Sequence, residues 1–380
     1  MSGVRLGGQA KLVSSLTRSG SSRGQSDSIV NAIRLRLEDA GYRVGGVAIV
    51  YEDLDGGSEE RGSWDGERET ANARYAAADA DVVAYIATLD TDAAPYSIPI
   101  TNQAGPLLQI SPCNTYPGLT RPFEPGEPEI YYPTGVRSYA RTAMSDDLQG
   151  LFAAQWALEL GAERVAVLHD GEPCGRGVAE PFERSCIALG LELAQPPVAI
   201  VPKQADYRDL AARIAQHAPD LVFYGGIIQN GAGPLWRDIR TALPTATMMG
   251  ADTLFEHAFI EDAAEHAEGT LITFGGVPPA LLEGRGRAFF KRYVETFKRE
   301  PECYAASAYD AIGVVLAALE RVGTKDRAAI TRAVLATRDF DGLLGRWSFD
   351  SNGDVDLRRA TRLTVRDGDF TYLEVREVED

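Results

Sequence analysis

The feature that most restricts the fold of this 380-residue chain is a repeated switch between short apolar runs and longer stretches of helical period. Apolar runs of about four to eight residues bounded by turn residues read as buried strands, whereas apolar positions three and four apart mark one face of a helix. Residues 11–16 form the first such strand. After a Ser/Gly-rich loop, residues 26–40 carry Ile29, Val30, Ile33 and Leu37 at helical spacing and complete a βα unit. A strand over 44–51, a helix over 66–80 and a strand over 82–87 follow, and 93–101 leads into another strand at Leu107. This alternation is the pattern of a doubly wound parallel sheet.

The rhythm breaks over 112–138, where proline, glycine and tyrosine accumulate as an ordered loop or decoration, and resumes after 141–145. The second run places helices at 147–160, 177–189, 207–217 and 233–242 between strands at 165–169, 191–201, 221–224, 247–250 and 270–274. Helices over 282–298, 305–321 and 326–336 come next, and a β-like tail closes the chain at 347–349, 359–365 and 370–375, with a turn at 350–353. Two runs of βα units mean two lobes.

Charge and cysteine usage narrow the function classes. A net charge of -17 argues against nucleic acid and anionic membrane as partners. No apolar run approaches the ~18 residues of a membrane span. The first ten residues lack an apolar core, so the chain as it stands shows no signal peptide. Cys113, Cys174, Cys186 and Cys303 have no C-x-x-C spacing, which excludes the usual structural zinc patterns; Cys174 and Cys186 would pair only if the intervening loop folds back.

Most catalytic and metal readings fail on spacing. Gly20-Ser21-Ser22-Arg23-Gly24 satisfies G-x-S-x-G, which would make Ser22 a nucleophile. However, no earlier strand exists to supply an oxyanion loop, and the preceding strand ends too early for a sharp strand-to-helix elbow. His257 and His266 match no ligand spacing, His169 reads as a structural histidine, and the run from Asp350 to Asp356 brings its glycine too early for a calcium loop and reads as a turn.

The stretch that stands out is Leu107 to Thr120, where a buried strand ends at Ile110-Ser111-Pro112 and opens into a polar loop with Asn114, Thr115 and Pro117. Ligands bind at such strand ends in open α/β sheets. These residues, with Tyr51 to Asp55, Val167 to Gly171 and Gly175, Phe223 to Gly226, Met249 to Asp252 and Phe349 to Asp354, stand in the order of the leucine/isoleucine/valine-binding protein family of ABC importers. The chain resembles that family from about Lys11 onward.

The resemblance implies an α/β fold of the type I periplasmic binding protein class, with two doubly wound parallel-sheet lobes joined by a three-strand hinge. Crossings near Arg141, Phe274 and Gly345 would give one lobe 10–142 plus 275–346 and another 143–274 plus 347–380. An amino acid or similar small polar solute would bind in the cleft, with no reaction, cofactor or metal. An ABC permease is the implied partner, the protein a monomer, and its location extracytoplasmic, periplasmic or lipid-anchored.

Matched residue by residue, Asp252 falls where the family carries the acid that contacts the ligand ammonium, and Asn114 and Thr115 fall in its ammonium and backbone-contact loop. Thr91 falls at its carboxylate serine, with the Ser111 hydroxyl assisting, and Arg23 lies beside the first bordering loop. Cys174 replaces a frequent tyrosine, and Ile227 and Ile228 replace an aromatic wall, so leucine specificity does not transfer. Helix capping by Asp252 and Thr91 and a solvent-exposed Arg23 are the structural alternatives. A sensor domain of the same fold for amides or amino acids is the alternative function, with a hydrolase using Ser22 behind it.

Overall fold

The computed structural model of the chain describes residues 8–379, so most of the amino-terminal stretch read for a signal peptide lies outside the described residues. The chain divides into two compact units: the part up to Met144 with Pro278–Leu357, and Ser145–Val277 with the part from Arg358 onward.

In the first unit, β1 (Gln9–Leu16), β2 (Val47–Asp55), β3 (Val82–Ala87), β4 (Leu108–Ser111) and β5 (Tyr139–Arg141) form a parallel sheet in the order β2-β1-β3-β4-β5. The chain order therefore reverses between β1 and β3. The expected strand over 44–51 is in fact a hairpin: Arg43–Val44 pairs antiparallel with the start of β2 across Gly45 and Gly46, both at positive φ. Two adjacent glycines supply the left-handed backbone that a two-residue hairpin needs.

Helices α1 (Arg23–Asp39) and α2 (Gly66–Ala78) follow the pattern of their apolar faces. The Asp65 carboxylate starts α2 by accepting from the backbone of Glu67 and Arg68 at 2.9 and 3.2 Å. Helix α3 (Ala94–Gln103) occupies the stretch read only as a lead-in. Its two prolines disguise it: Pro95 lies in the first turn, where no N–H is needed, and Pro99 forfeits one interior bond.

The proline- and tyrosine-rich segment is ordered by its own core. Tyr116, Tyr131 and Tyr132 pack with Leu119 and Ile98, and the tyrosyl hydroxyls of Tyr116 and Tyr131 donate to the two oxygens of Glu127 at 2.8 and 2.6 Å.

The second unit repeats the winding. Its sheet runs from a two-part strand (Glu192–Leu193 and Val198–Ala199) through β6 (Arg164–His169), β7 (Leu221–Gly225), β8 (Thr247–Gly250) and β9 (Leu271–Phe274), all parallel. Antiparallel β10 (Arg359–Arg366) and β11 (Asp369–Glu377) extend it. The strand expected over 191–201 is broken because Pro196 and Pro197 withdraw two ladder donors. Helices α4 (Asp146–Glu159), α5 (Pro173–Ala188), α6 (Arg208–Gln216) and α7 (Ala232–Ala242) cover the sheet. The face-to-face stack of Phe182 on Phe223, 3.9 Å between centroids, ties α5 to β7.

Helix α5 starts at Pro173, four residues before the expected position, because proline suits the first helical residue. This rules out the considered pairing of Cys174 with Cys186. Both lie on α5, twelve residues apart, which spans about 18 Å at a helical rise of ~1.5 Å per residue. A disulfide needs Cα atoms within about 7 Å, and all four cysteines are free.

Helices α8 (Arg285–Phe297), α9 (Ala305–Val322) and α10 (Arg327–Leu335) return to the first unit. Residues 347–357 also belong there, although the expected boundary assigned them to the second lobe. The reason is a buried ion pair: the Arg141 guanidinium donates to Asp354 at 2.7 Å, and Arg121 donates to Asp354 and Asp350 at 2.8 and 3.0 Å. The acidic loop read as a turn is one. Asp350 accepts from the backbone of Asn352 and Asp354, and Gly353 has φ +92.

Candidate ligand-binding site

In each unit the strand order reverses between the first and third strands, and ligands of doubly wound sheets bind outside the carboxyl ends at such a reversal. In the first unit this point lies between β1 and β3. There the Thr17 hydroxyl, after β1, donates to the Asp90 carboxylate, after β3, at 2.5 Å. Burial pushes the Asp90 carboxyl up from its ordinary range. This carboxylate therefore faces a threonine across the reversal.

Four of the predicted residues converge beside this point. Ser111 donates to the Thr88 carbonyl at 2.9 Å and accepts from the backbone of Cys113 and Asn114 at 3.1 and 2.9 Å. Asn114 donates to the carbonyls of Thr88 and Leu89, both at 3.0 Å, and accepts from the Tyr139 hydroxyl at 3.0 Å. Both side chains are fully buried. They brace the loop and hold its backbone in place. The Thr91 hydroxyl accepts from the Thr115 backbone at 3.2 Å, which joins the start of α3 to the same loop.

Arg23 stands apart from this cluster. Its side chain is 71% exposed at the start of α1, with only Asp27 nearby at 3.7 Å. The cation that is anchored on this side is Arg18, which bridges Asp53 at 2.7 Å and Asp27 at 2.5 Å. Ser22 is buried at the amino end of α1, and all four histidines of the chain lie between His169 and His266, in the other unit.

In the second unit the reversal falls between β6 and β7, and a second aspartate bridges it. Asp170 accepts from the backbone of Ile227 at 3.0 Å, from the Asn230 amide at 2.9 Å and from the backbone of Glu172 at 3.1 Å. Burial pushes its carboxyl up, against these donors. Gly175 allows the closeness: a β-carbon there would lie 2.2 Å from the Asp170 carboxylate and 2.3 Å from the Gly225 carbonyl. His169 beside it accepts from the Gly171 backbone, and burial lowers its pKa, as suits a structural histidine.

The predicted residues of this unit meet around that brace. Cys174 lies in the first turn of α5 next to Gly175, and Ile227 follows Gly225-Gly226; both are buried. The Thr253 hydroxyl donates to the Gly226 carbonyl at 2.8 Å and links the loop after β7 to the loop after β8, which carries Asp252. Asp252 is 6% exposed and accepts from the side-chain amide of Gln149, on α4, at 2.9 Å; the same amide reaches the Thr273 carbonyl at 3.0 Å. Asp252 thus places a buried carboxylate just beyond the carboxyl end of a central strand.

Asp170 and Gln149 are the organising residues that sequence reasoning missed. Asp170 stood inside a quoted motif but was overshadowed by His169, and Gln149 gave no signal because it works across 103 positions from Asp252. Among the described residues no group of acidic, histidine and cysteine side chains could hold a metal ion, and no helix is long and apolar enough to cross a membrane.

The sequence profile described as periplasmic binding protein matches residues 10–367. An amino acid binding protein of Pseudomonas aeruginosa is 27% identical over 68% of this chain, and a Leu/Ile/Val-binding protein homolog of Brucella suis is 28% identical over 66% of it. The matches span 65% and 63% of those relatives, just under two thirds of their length. The fold is shared with a leucine binding protein of Thermotoga maritima, 23% identical, with TM-score 0.85 over 97% of this chain and 99% of that one. It is shared as well with a solute binding protein of Rhodopseudomonas palustris in complex with p-hydroxybenzoic acid, 15% identical, with TM-score 0.82 over 98% of both chains. The chain belongs to the periplasmic binding protein family.

Proposed function

We propose that this protein is the extracytoplasmic solute-binding component of an ABC importer and that it holds an amino acid or a similar small polar solute. The observation that carries the reading is Asp252, a buried carboxylate at the end of β8, oriented by Gln149. A carboxylate so placed suits a ligand ammonium, because a desolvated cation needs an anion beside it. In the first unit, Thr91 is the group assigned to a ligand carboxylate, and the loop braced by Ser111 and Asn114, to which Thr91 is joined through the Thr115 backbone, is assigned backbone contacts. Cys174, Ile227 and Ile228 offer an apolar, non-aromatic lining, which fits an aliphatic side chain better than a ring-stacking one. No catalytic role is assigned to Ser22.

Calorimetric titration tests the reading with leucine, isoleucine and valine against their des-amino acids and 4-hydroxybenzoate. A zwitterion should bind, its des-amino analogue should not, and Asp252→Ala should weaken the zwitterion by about 30-fold or more, the loss of one partner of a buried charge pair. Equal binding of the des-amino acid, or unchanged affinity in Asp252→Ala, would refute the assignment.

A further inference from the structure

The first unit holds a second pocket, of about 380 Å³, far from the strand ends. It is lined by Arg36 and Asp39 of α1, by Arg285, Phe289 and Arg292 of α8, by Tyr309 of α9 and by the segment at Phe340. Arg36 follows Arg23, at the start of α1, by thirteen residues, about 20 Å along the helix. Every lining residue belongs to the first unit. The volume falls within the ~300–1,000 Å³ of small-molecule sites.

The charges of this pocket are unevenly satisfied. Arg292 pairs with Asp39 and, at 3.1 Å, with Glu38; the Tyr309 hydroxyl also donates to Asp39 at 2.5 Å; Arg285 pairs with Asp341 at 2.8 Å. That leaves Arg36. It is half-buried, its guanidinium lies 5.5 Å from the centroid of the Tyr309 ring, and its neighbouring acid, Asp39, is engaged elsewhere. A cation stacked on an aromatic face keeps its in-plane donors available for a carboxylate fork.

The aromatic part of the lining is Phe289 and Tyr309, edge to face at 5.3 Å, with Phe340 on a short strand paired with Arg346–Trp347; Asp310, whose carboxylate accepts from the backbone of Leu343 and Leu344, lines the pocket as well. Helix α9 makes room for the arrangement with a glycine in its interior. A β-carbon at Gly313 would lie 3.0 Å from the Phe340 ring and 3.2 Å from Arg36 Nε. Glycine in a helix interior costs about 1 kcal/mol relative to alanine, and here it admits the two side chains that define the pocket.

We propose that this pocket is a second binding site, for a small organic acid whose carboxylate pairs with Arg36 and whose flat apolar body lies against Phe289, Tyr309 and Phe340. The proposal is independent of the Asp252 site and of what that site binds.

The test is ¹⁹F NMR titration with 4-fluorobenzoate, and with 4-fluorobenzamide as its uncharged counterpart, on wild type, Arg36→Gln and Asp252→Ala. The benzoate should bind wild type and Asp252→Ala with the same affinity and Arg36→Gln at least ten-fold more weakly, and the benzamide should bind none of them. If Arg36→Gln does not fold, Arg36→Lys serves: it keeps the charge, loses the planar fork and should weaken binding several-fold. The proposal is overturned if wild type does not bind 4-fluorobenzoate. Equal affinity in the Arg36 variant, or a loss confined to Asp252→Ala, overturns it equally, since the probe would then be using the strand-end site.

Discussion

Replacing Asp354 by alanine should be among the most damaging single changes to the first unit. Arg141 is fully buried and Asp354 is 3% exposed, and their contact is 2.7 Å. The second oxygen of Asp354 accepts from Arg121 at 2.8 Å and Thr120 at 3.1 Å. Alanine would take the carboxylate from the buried Arg141 guanidinium, whose neutral partners include the Tyr116 carbonyl and the Thr120 hydroxyl, at 2.7 and 2.8 Å. Removing one partner of such a pair costs about 3–5 kcal/mol, a large share of the ~5–15 kcal/mol that holds a typical domain together. At roughly 2–4 °C per kcal/mol for a unit of this size, the melting transition should fall by about 6–20 °C. Asp350→Ala provides the contrast, because its pair with Arg121 is about one third exposed on both sides and should contribute roughly 1 kcal/mol or less. Burial raises the Asp354 carboxyl, but Arg141 and Arg121 outweigh it and hold the group below its usual range. A lowered folded pKa means stability that is present above the unfolded value near ~3.9 and is lost as pH falls through the folded value. The variant should therefore lose less than wild type on acidification below about pH 4. Urea denaturation of both variants from pH 3 to 7 measures this. An Asp354→Ala loss under about 1 kcal/mol, or an equal loss for Asp350→Ala, would refute the argument.

Glu69 carries the opposite sign. Burial pushes it up to about 7 despite the hydroxyls of Ser15 and Tyr85, so its contribution is present below the ordinary glutamate range and is lost as pH rises through 7. Glu69→Gln should flatten the fall in stability over that window, worth about 3 kcal/mol at most, as followed by melting temperature against pH. Gly175→Ala should destabilise the second unit by about 1–3 kcal/mol through overpacking against Asp170 and Gly225. Gly24→Ala, with open space around its β-carbon, should stabilise α1 by about 0.4–1 kcal/mol in the same denaturation assay. Intact protein should run identically on gels with and without reductant, and Cys186, buried and pushed up to about 12, should react with a thiol reagent only after denaturation.

The architecture was legible because hydrophobic period and strand length are local properties. The strands at 82–87 and 247–250 coincide with their expected limits. The failures are equally local in cause. Gly45-Gly46 split an apparently continuous strand, Pro196-Pro197 split another, and Pro95 and Pro99 hid α3, in each case because one or two residues override the period of their neighbours. The third boundary between the units was misplaced for a different reason. Residues 347–357 look like the start of the β-tail, and what claims them for the first unit is Arg141, more than 200 positions earlier. No pattern within a window reveals a partner at that distance.

The same division explains why the candidate site was legible as a place and less so as chemistry. Strand ends and loop composition singled out Thr91, Ser111, Asn114, Thr115, Ile227 and Asp252, all of which lie at or just beyond the carboxyl ends of strands, but a polar side chain at a strand end has two uses, to contact a ligand or to hold a loop. Ser111, Asn114 and Asp170 are hydrogen-bonded to neighbouring backbone and buried, which marks the second use. The cost of ordering the loops is thereby met within the protein, and pre-organised backbone groups lose less on binding than mobile side chains do. On the proposed reading the buried aliphatic Ile227 and Ile228 line the ligand's side chain, so exchanging Ile227 for a smaller or larger residue should alter which solute is preferred while leaving intact the demand for an ammonium that the proposal places on Asp252.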